Sequence, residues 1–282
     1  QAERHRLRSE IVLVDWNPPS DRLPLKDLYR WPLSSQYCAI RIISVPPQVH
    51  QRYQGWEKIH VNYCLAQNVA IRRAHGQFIL STCVDNLLSD ELVRFLASES
   101  LVENTLYLTD RCNVDRGVVK LQSLEEQLAF CCDHILSVNA FLPDESLPDV
   151  DGVPGVHTGT PGDFTLLART YWHQVRGFPE IDIFGRFSGA LLCYMAYFAG
   201  AQVEALREPM RLYHIDHDLR TRSPESNWWA RTRLRYVLPD WLAGLLKFVV
   251  RREVPARDQI ARQKIPHLSP SEATTFIREM FQ

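Results

Sequence analysis

Short apolar runs alternate with helix-like segments through the first half of the chain, and this pattern constrains the fold more than any other feature. β-branched runs at 11–14 and 40–45 end in proline-rich turns, as strands do when they lead into loops. A helix from about Val61 to Ala74 closes at Gly76, and the strand Phe78 to Thr82 follows. The alternation predicts an α/β fold in which helices flank a mostly parallel mixed sheet.

The rest of the chain continues with further elements and one long loop. Helices are predicted over Asp90 to Ala97, about Leu124 to Val138, and Gly189 to Ala199; strands over 105–109, 163–168, 202–206 and 211–215; and a loop over Leu142 to Gly162. Residues from about Pro224 onward read as helices. We therefore expect one domain over 1–223 and a helical extension over 224–282 packed on it.

Composition is ordinary for a protein in water. The 282 residues are 45% hydrophobic and 23% charged, with a formal net charge of -1, so no global charge attracts nucleic acid. The seven cysteines show no CxxC spacing, which predicts reduced core thiols rather than a zinc site. The best apolar stretch, Trp241 to Val250, is too short to span a bilayer and contains Lys247.

The beginning of the chain adds two expectations. It opens at Gln1 without a signal peptide, so we expect a cytoplasmic protein without a transmembrane segment. The stretch Ala2 to Arg8 reads as the last turns of a helix feeding a strand from Ile11 to Asp15, which suggests a fragment of a longer chain.

Asp85 is the most informative single residue. It follows the apolar run that ends at Thr82, and a carboxylate where a buried strand emerges lies in the crevice where α/β folds bind ligands. Such a carboxylate can hold a divalent cation against phosphate. The alternative is structural: Asp85 starts a turn, and Asp90 begins the next helix.

Four segments, in their shared order, resemble the GT-A type of glycosyltransferase, which uses nucleotide sugars. They are the strand with Asp15-Trp16-Asn17-Pro18; Asn68 through Asp85, similar to N-x-(G/A)-x-x-A-x-G-x-(F/Y)-(I/L) before a DxD-like carboxylate; Gly162-Asp163-Phe164 through Gly177-Phe178-Pro179-Glu180; and Tyr213-His214-Ile215-Asp216-His217. The resemblance implies sugar transfer from a nucleoside diphosphate, here UDP, to a hydroxyl of a glycan or small-molecule acceptor.

The resemblance also implies a metal site. Asp85 corresponds to the surviving carboxylate of the DxD motif, with Cys83 in place of the first acid. His214, or with less weight His217, is similar to the late histidine that completes the metal shell in some members. One carboxylate, one imidazole and diphosphate oxygens suit Mn²⁺ or Mg²⁺. The alternative for His214 is a strand-end histidine satisfied by a backbone carbonyl.

Donor-binding residues follow from the same resemblance. Asn68 and Arg72 lie one helical turn apart, where Arg72 can pair with diphosphate oxygens. Asp15 and Asn17 are candidates for the base or ribose, and the alternative for the neighbouring Trp16 is a buried side chain that caps the sheet.

The catalytic base and the acceptor side are the remaining expectations. Glu180 and Asp182 are the candidate bases, because Gly189 stands where related sequences carry an Asp. Gly162 and Asp163 are candidates for binding sugar hydroxyls. Trp172 is a candidate for stacking on a sugar face, with the core as its alternative.

Three departures from the family pattern favour a different class of function. The family's first strand, which holds the nucleotide base, is absent ahead of Gln1, so we expect impaired donor affinity. Together with Gly189 and the lone Asp85, this supports a second hypothesis, a catalytically impaired GT-A-derived module that binds sugars or partners. An unrelated nucleotide-binding enzyme is a third, opposed by the absence of a GxGxxG or GxxxxGK[ST] loop.

Overall fold

A computed structural model describes residues 1–32, 35–53, 56–58, 60–139, 162–180 and 188–217. Most of the predicted loop, the candidate base Asp182 and the predicted extension 224–282 lie outside these residues. The chain forms two compact units. Of the described residues, those up to 112 and those at 138–139, 162–180 and 188–214 belong to the larger unit, and those at 113–137 and 215–217 belong to the smaller.

The described residues form eight α-helices and ten strands. The helices are α1 Ala2–His5, α2 Leu25–Leu28, α3 Pro47–His50, α4 Tyr63–Ile71, α5 Asp90–Ala97, α6 Leu124–Asp133, α7 Arg169–Gln174 and α8 Ser188–Phe198, with 3₁₀ turns at Trp56–Lys58 and Arg116–Lys120. The strands are β1 Ser9–Trp16, β2 Cys38–Val45, β3 Phe78–Thr82, β4 Asn86–Leu88, β5 Thr105–Thr109, β6 Arg111–Val114, β7 Ile135–Asn139, β8 Phe164–Ala168, β9 Gln202–Leu206 and β10 Leu212–Ile215.

The strands form three sheets, and their directions are mixed. β1 and β2 pair in parallel. A four-stranded sheet has the order β3-β8-β5-β9, in which β8 runs antiparallel to β3 and β5 while β9 runs parallel to β5. A second has the order β4-β10-β6-β7, with β4 antiparallel to β10. The α/β class is confirmed, whereas the mostly parallel sheet is not.

β5 is buried along its whole length because the larger unit packs on both of its faces. Leu106 and Leu108 point to one side and belong to the cluster that contains Leu192 of α8. Tyr107 points to the other side and joins Leu92 of α5. Successive side chains of a strand alternate between the two faces of a sheet, so a strand covered on both sides reads as an unbroken apolar run.

The predicted helix from Leu124 to Val138 is wrong in its last third. Ser123 and Glu126 form a capping box that begins α6 where it was expected, but the helix ends at Asp133. From Ile135 onward the chain forms the strand β7 rather than a helix, and β7 pairs with β6. The strands β4, β6 and β7 were not predicted at all, and α1 ends at His5 rather than Arg8.

No helix in the described part of the chain is both long enough and apolar enough to cross a membrane.

Candidate metal centre

Asp85 lies in the tight turn that joins β3 to β4. This turn carries the chain from one four-stranded sheet to the other, since β3 belongs to the first and β4 to the second. Within the second sheet, Asn86 of β4 is paired directly with His214 of β10. The turn therefore brings the Asp85 carboxylate to the end of β10, where His214 lies.

The predicted proximity of Asp85 and His214 is confirmed. Asp85 Oδ2 lies 3.2 Å from His214 Nε2. The His214 side chain is 8% exposed and that of Asp85 is 26% exposed, so the imidazole is held within the protein while the carboxylate reaches solvent. Of these two groups, the carboxylate is the more accessible to a ligand.

A third metal-binding side chain follows His214 closely. His217 is exposed and comes two residues after the end of β10. Because only two residues separate it from His214, the backbone between them keeps the two histidines close. Asp85, His214 and His217 each offer one ligand atom, and these atoms lie within 4.8 Å of one another. His217, the less favoured alternative in the sequence, thus belongs to the cluster beside His214.

This donor set fits a divalent cation. Ligand atoms at about 2.1 Å from one octahedral ion are separated by about 3 Å when adjacent and about 4.2 Å when opposite, which the observed spacing allows. One carboxylate and two imidazoles are ligands that Mn²⁺ and related transition metals accept. The identity of the cation stays a prediction.

Asp163, a candidate for sugar binding, lies beside the turn that carries Asp85. Its carboxylate forms an ion pair of 2.7 Å with Arg111 of β6, and both side chains are largely buried. Its backbone oxygen accepts a hydrogen bond of 3.2 Å from the Asn86 amide. Gly162 is also adjacent, because its carbonyl accepts a hydrogen bond of 3.4 Å from the Cys83 thiol.

Cys83 is held as a neutral thiol at this position. Burial, reinforced by the negative charges of Asp163 and Asp85, raises the pKa of the Cys83 thiol to about 12, and Arg111 opposes this only in part. Metal coordination by cysteine requires the thiolate. The neutral Cys83 thiol therefore adds no negative charge to this turn, and it donates its hydrogen bond to the Gly162 carbonyl.

Asn68, Arg72 and Glu180 form a separate group. The Asn68 amide donates to the Phe178 carbonyl at 2.8 Å and to a Glu180 carboxylate oxygen at 2.9 Å, and it accepts from the Phe178 N–H at 2.7 Å. Arg72 donates to the same Glu180 oxygen at 2.5 Å. The structure thus gives these three residues a role in holding the Gly177-to-Glu180 turn, and their donor-binding and catalytic roles stay predictions.

Asp15 and Asn17, the other predicted donor-binding residues, also have partners in the protein. The Asp15 carboxylate accepts a hydrogen bond of 3.0 Å from the Leu25 N–H, and the Asn17 amide donates to the His60 carbonyl at 3.1 Å. Trp16 between them is buried, and its indole N–H donates to His50 Nδ1 at 2.9 Å. The alternative of a buried Trp16 that caps the sheet is the one that the structure supports.

The stacking role predicted for Trp172 is wrong. This side chain is 0% exposed, packs against Phe178 and donates its indole N–H to the Ile79 carbonyl at 2.9 Å. A ring with no exposed face cannot stack on a sugar. Gly189 lies in the first turn of α8, beside the buried Ser188.

A cavity of about 300 Å³ lies elsewhere in the larger unit. It is lined by Ile71, Arg72, Trp172, His173, Arg176 and Gly177. None of these residues belongs to the metal-binding cluster. The cluster of Asp85, His214 and His217 is therefore not part of this cavity.

Asn86 and Arg111 are site neighbours that the sequence analysis did not assign, and Arg111 pairs with the predicted site residue Asp163. Asn86 was not predicted as a site residue, because the strand β4 that it begins has only three residues and gives no periodic signal in the sequence. Arg111 follows directly after a recognised strand, which is a usable signal for a ligand-binding edge. Its pairing with Asp163 depends on contacts between distant segments.

The chain matches no protein-family model and no curated protein. The likeness to GT-A glycosyltransferases thus stays a prediction that depends on the residues and distances given above.

Proposed function

We propose that this chain is a GT-A type glycosyltransferase domain that transfers a sugar from a UDP-sugar to an acceptor hydroxyl. The observation that carries the proposal is the pairing of Asp85, in the turn after β3, with His214 of β10 at 3.2 Å. An enzyme that releases a diphosphate needs positive charge beside the leaving group, because negative charge develops there. A cation held by Asp85 and His214 would supply it.

Asp85, His214 and His217 are the residues that would hold the cation. A bound Mn²⁺ or Mg²⁺ supplies a Lewis acid that neutralises charge on the diphosphate. Arg111, which is paired with Asp163 at 2.7 Å, carries a guanidinium that can also pair with the anionic oxygens of a diphosphate. Asp163 would then be free to accept from sugar hydroxyls.

The proton of the acceptor hydroxyl needs a base, and Glu180 is the candidate within the described residues. Its carboxylate accepts hydrogen bonds from Asn68 and Arg72, and it is 38% exposed, so it remains reachable from solvent. Asp182 remains the second candidate.

The first test is whether the protein binds Mn²⁺ and UDP. Thermal unfolding with and without MnCl₂ and UDP measures this binding. A ligand at 100 times its dissociation constant adds about 2.7 kcal/mol of stability. We expect Asp85→Asn and His214→Ala to lose this stabilisation and His75→Ala, which changes an exposed histidine of another segment, to keep it. A wild-type protein that Mn²⁺ and UDP do not stabilise, or a stabilisation unchanged by Asp85→Asn, contradicts the proposal.

The second candidate function is a catalytically impaired module that binds nucleotide sugars, favoured by the engagement of Glu180 with Asn68 and Arg72. Release of UDP from a panel of UDP-sugars separates the two functions. The transferase requires measurable release that falls at least about 100-fold in Glu180→Gln, the lower range for loss of a general base. The module shows stabilisation by UDP and Mn²⁺ without release.

A further inference from the structure

Asn86 follows Asp85 directly and begins β4. Its amide oxygen Oδ1 is buried and has no hydrogen-bond partner among the residues that the structure describes. A buried amide oxygen that is removed from water without a partner lowers stability. Such an atom beside a group of metal-binding side chains indicates a ligand that satisfies it.

The orientation of the Asn86 amide is fixed by its other end. Nδ2 donates to the Asp163 backbone oxygen at 3.2 Å and to Thr82 Oγ1 at 3.0 Å. A carbonyl oxygen accepts but cannot donate, so the nitrogen must face Asp163, and Oδ1 must point away from it. The two ends of the amide cannot be exchanged without placing two oxygens against each other.

The strand pairing brings this side chain next to His214. Asn86 and His214 are directly opposite in the antiparallel pair of β4 and β10. Side chains of opposite residues project from the same face, with Cβ atoms about 4.5–5.5 Å apart. His214 in turn lies 3.2 Å from Asp85.

We propose that Asn86 Oδ1 is a further ligand of the cation bound by Asp85 and His214, and that it gives this centre its preference for a hard, six-coordinate cation. This inference rests on the proposed metal site. Amide and carboxylate oxygens are ligands of Mn²⁺ and Mg²⁺. Zn²⁺ needs only three protein ligands, because its fourth position can be open to water or substrate. Asp85 and the two histidines already supply these three ligands.

The test compares the affinities of two metals for the wild type and for variants at Asn86, with Thr82→Val and Asp85→Asn as controls. Mn²⁺ binding is measured by the loss of the free-ion electron paramagnetic resonance signal, and Zn²⁺ binding by competition with a chromophoric chelator. We expect Asn86→Leu to weaken Mn²⁺ binding by about 10- to 100-fold, the scale seen when a metal site loses a supporting group. Zn²⁺ binding should change by less than about threefold, since its four-coordinate site does not need the amide oxygen.

Asn86→Asp separates a ligand from a structural residue. The Asp side chain cannot donate to the Asp163 carbonyl, but it keeps an oxygen that can bind the metal. Retained or tighter Mn²⁺ binding is therefore expected. Thr82→Val, which removes the other acceptor of the Asn86 amide, should leave the affinity for Mn²⁺ unchanged. Far-ultraviolet circular dichroism checks that each variant is folded.

Equal losses of Mn²⁺ and Zn²⁺ affinity in Asn86→Leu, or a loss in Asn86→Asp, would overturn the inference. A wild-type affinity in Asn86→Leu would do so as well. Asp85→Asn identifies which claim has failed. If Asp85→Asn loses Mn²⁺ binding while Asn86→Leu does not, only this inference is wrong; if neither variant loses it, the proposed metal site is wrong.

Discussion

Asn68 shows how a single buried amide restricts its neighbours. Its Oδ1 and Nδ2 atoms both bind the backbone of Phe178, and the side chain is 1% exposed. Gly177 precedes this contact with φ +84, and a Cβ placed there would collide with Asn68 Oδ1. Residue 177 must therefore be glycine both for its backbone conformation and for the close approach of the amide.

We expect Gly177→Ala to lower the free energy of unfolding by about 2–4 kcal/mol, because it combines a strained backbone with overpacking. Gly162→Ala is the matched control, since nothing lies within 4 Å of a Cβ at that position. Its effect should be within about 0.5 kcal/mol, as for most surface substitutions. Urea unfolding of the two variants measures the difference, and similar stabilities would contradict the packing described for Asn68.

Site residues were predictable where a side chain follows a clear strand. Asp85 was found in this way, whereas His214, which lies within β10, was expected only from the resemblance to GT-A glycosyltransferases. The two side chains lie 3.2 Å apart. Asn86 was not found, because its position opposite His214 depends on the register of a strand that has no local signal. Trp172 was named as a candidate for the sugar site with the core as its alternative, because an aromatic residue on a short helix has the same sequence pattern whether its ring is buried or exposed. The structure supports the core.

At the scale of elements, α1 is attached to the start of α5 through one carboxylate. Arg4 and His5 contact the Asp90 carboxylate at 2.8 and 2.9 Å, and Gln1 donates to the Leu88 carbonyl at 2.6 Å. Burial alone would raise the pKa of Asp90, but hydrogen bonds from His5, Arg4 and Gln1 outweigh it and lower the pKa below its ordinary value. The ionised form is therefore the one that the folded state favours.

This lowered pKa predicts a pH dependence of stability. A carboxyl group with a depressed pKa in the folded state contributes stability above its unfolded pKa of about 3.9, and the contribution is lost as the pH falls through the folded value. We expect Asp90→Asn to be less stable than wild type above about pH 5 by roughly 0.5–1 kcal/mol, the scale of partly exposed ion pairs and helix-end charges. The difference should shrink below about pH 4.

Urea unfolding over a series of pH values measures this difference. Glu91→Gln is the control, because it removes a carboxylate from the same first turn of α5 while leaving the bonds from Arg4 and His5 in place. A difference between wild type and Asp90→Asn that persists unchanged below pH 4 would contradict the assigned role of the carboxylate.

Helix starts were easier to predict than helix ends. Ser89 and Ser123 both accept a hydrogen bond from the first turn of their helices, and both helices begin where the sequence indicated. The end of α6 has no glycine to mark it, and His134 occupies the C-cap position instead. The strand β7 that follows forms because it pairs with β6, and such a distant partner leaves no mark in the local sequence.

At the scale of the whole molecule, the alternation of strands and helices predicted the class but not the direction of every strand. β8 lies between β3 and β5 and runs antiparallel to both. Its apolar sequence identifies it as a buried strand, and that sequence is equally compatible with either direction. The direction depends on where the preceding connection enters the sheet, which no local pattern specifies.

The reactivities of the seven cysteine thiols test the packing of both units, because the cysteines are distributed over the two units and form no disulfide. Cys132 is exposed, whereas Cys64, Cys112, Cys131 and Cys193 are buried. Burial raises the pKa of the Cys193 thiol to about 12, and the Cys83 thiol has the same raised value for the reasons given above. The thiolate is the reactive form, so these two residues should react slowly even where reagent reaches them.

We expect a thiol-specific reagent at pH 8 to modify about one thiol per native chain in a fast phase, assigned to Cys132 as the exposed group. Cys132→Ser should remove this phase, and Cys193→Ser should leave it unchanged. Unfolding in guanidinium chloride should make all seven thiols react at similar rates. A fast phase that survives in Cys132→Ser, or rapid modification of four or more thiols in the native protein, would show that the buried clusters are not packed as described.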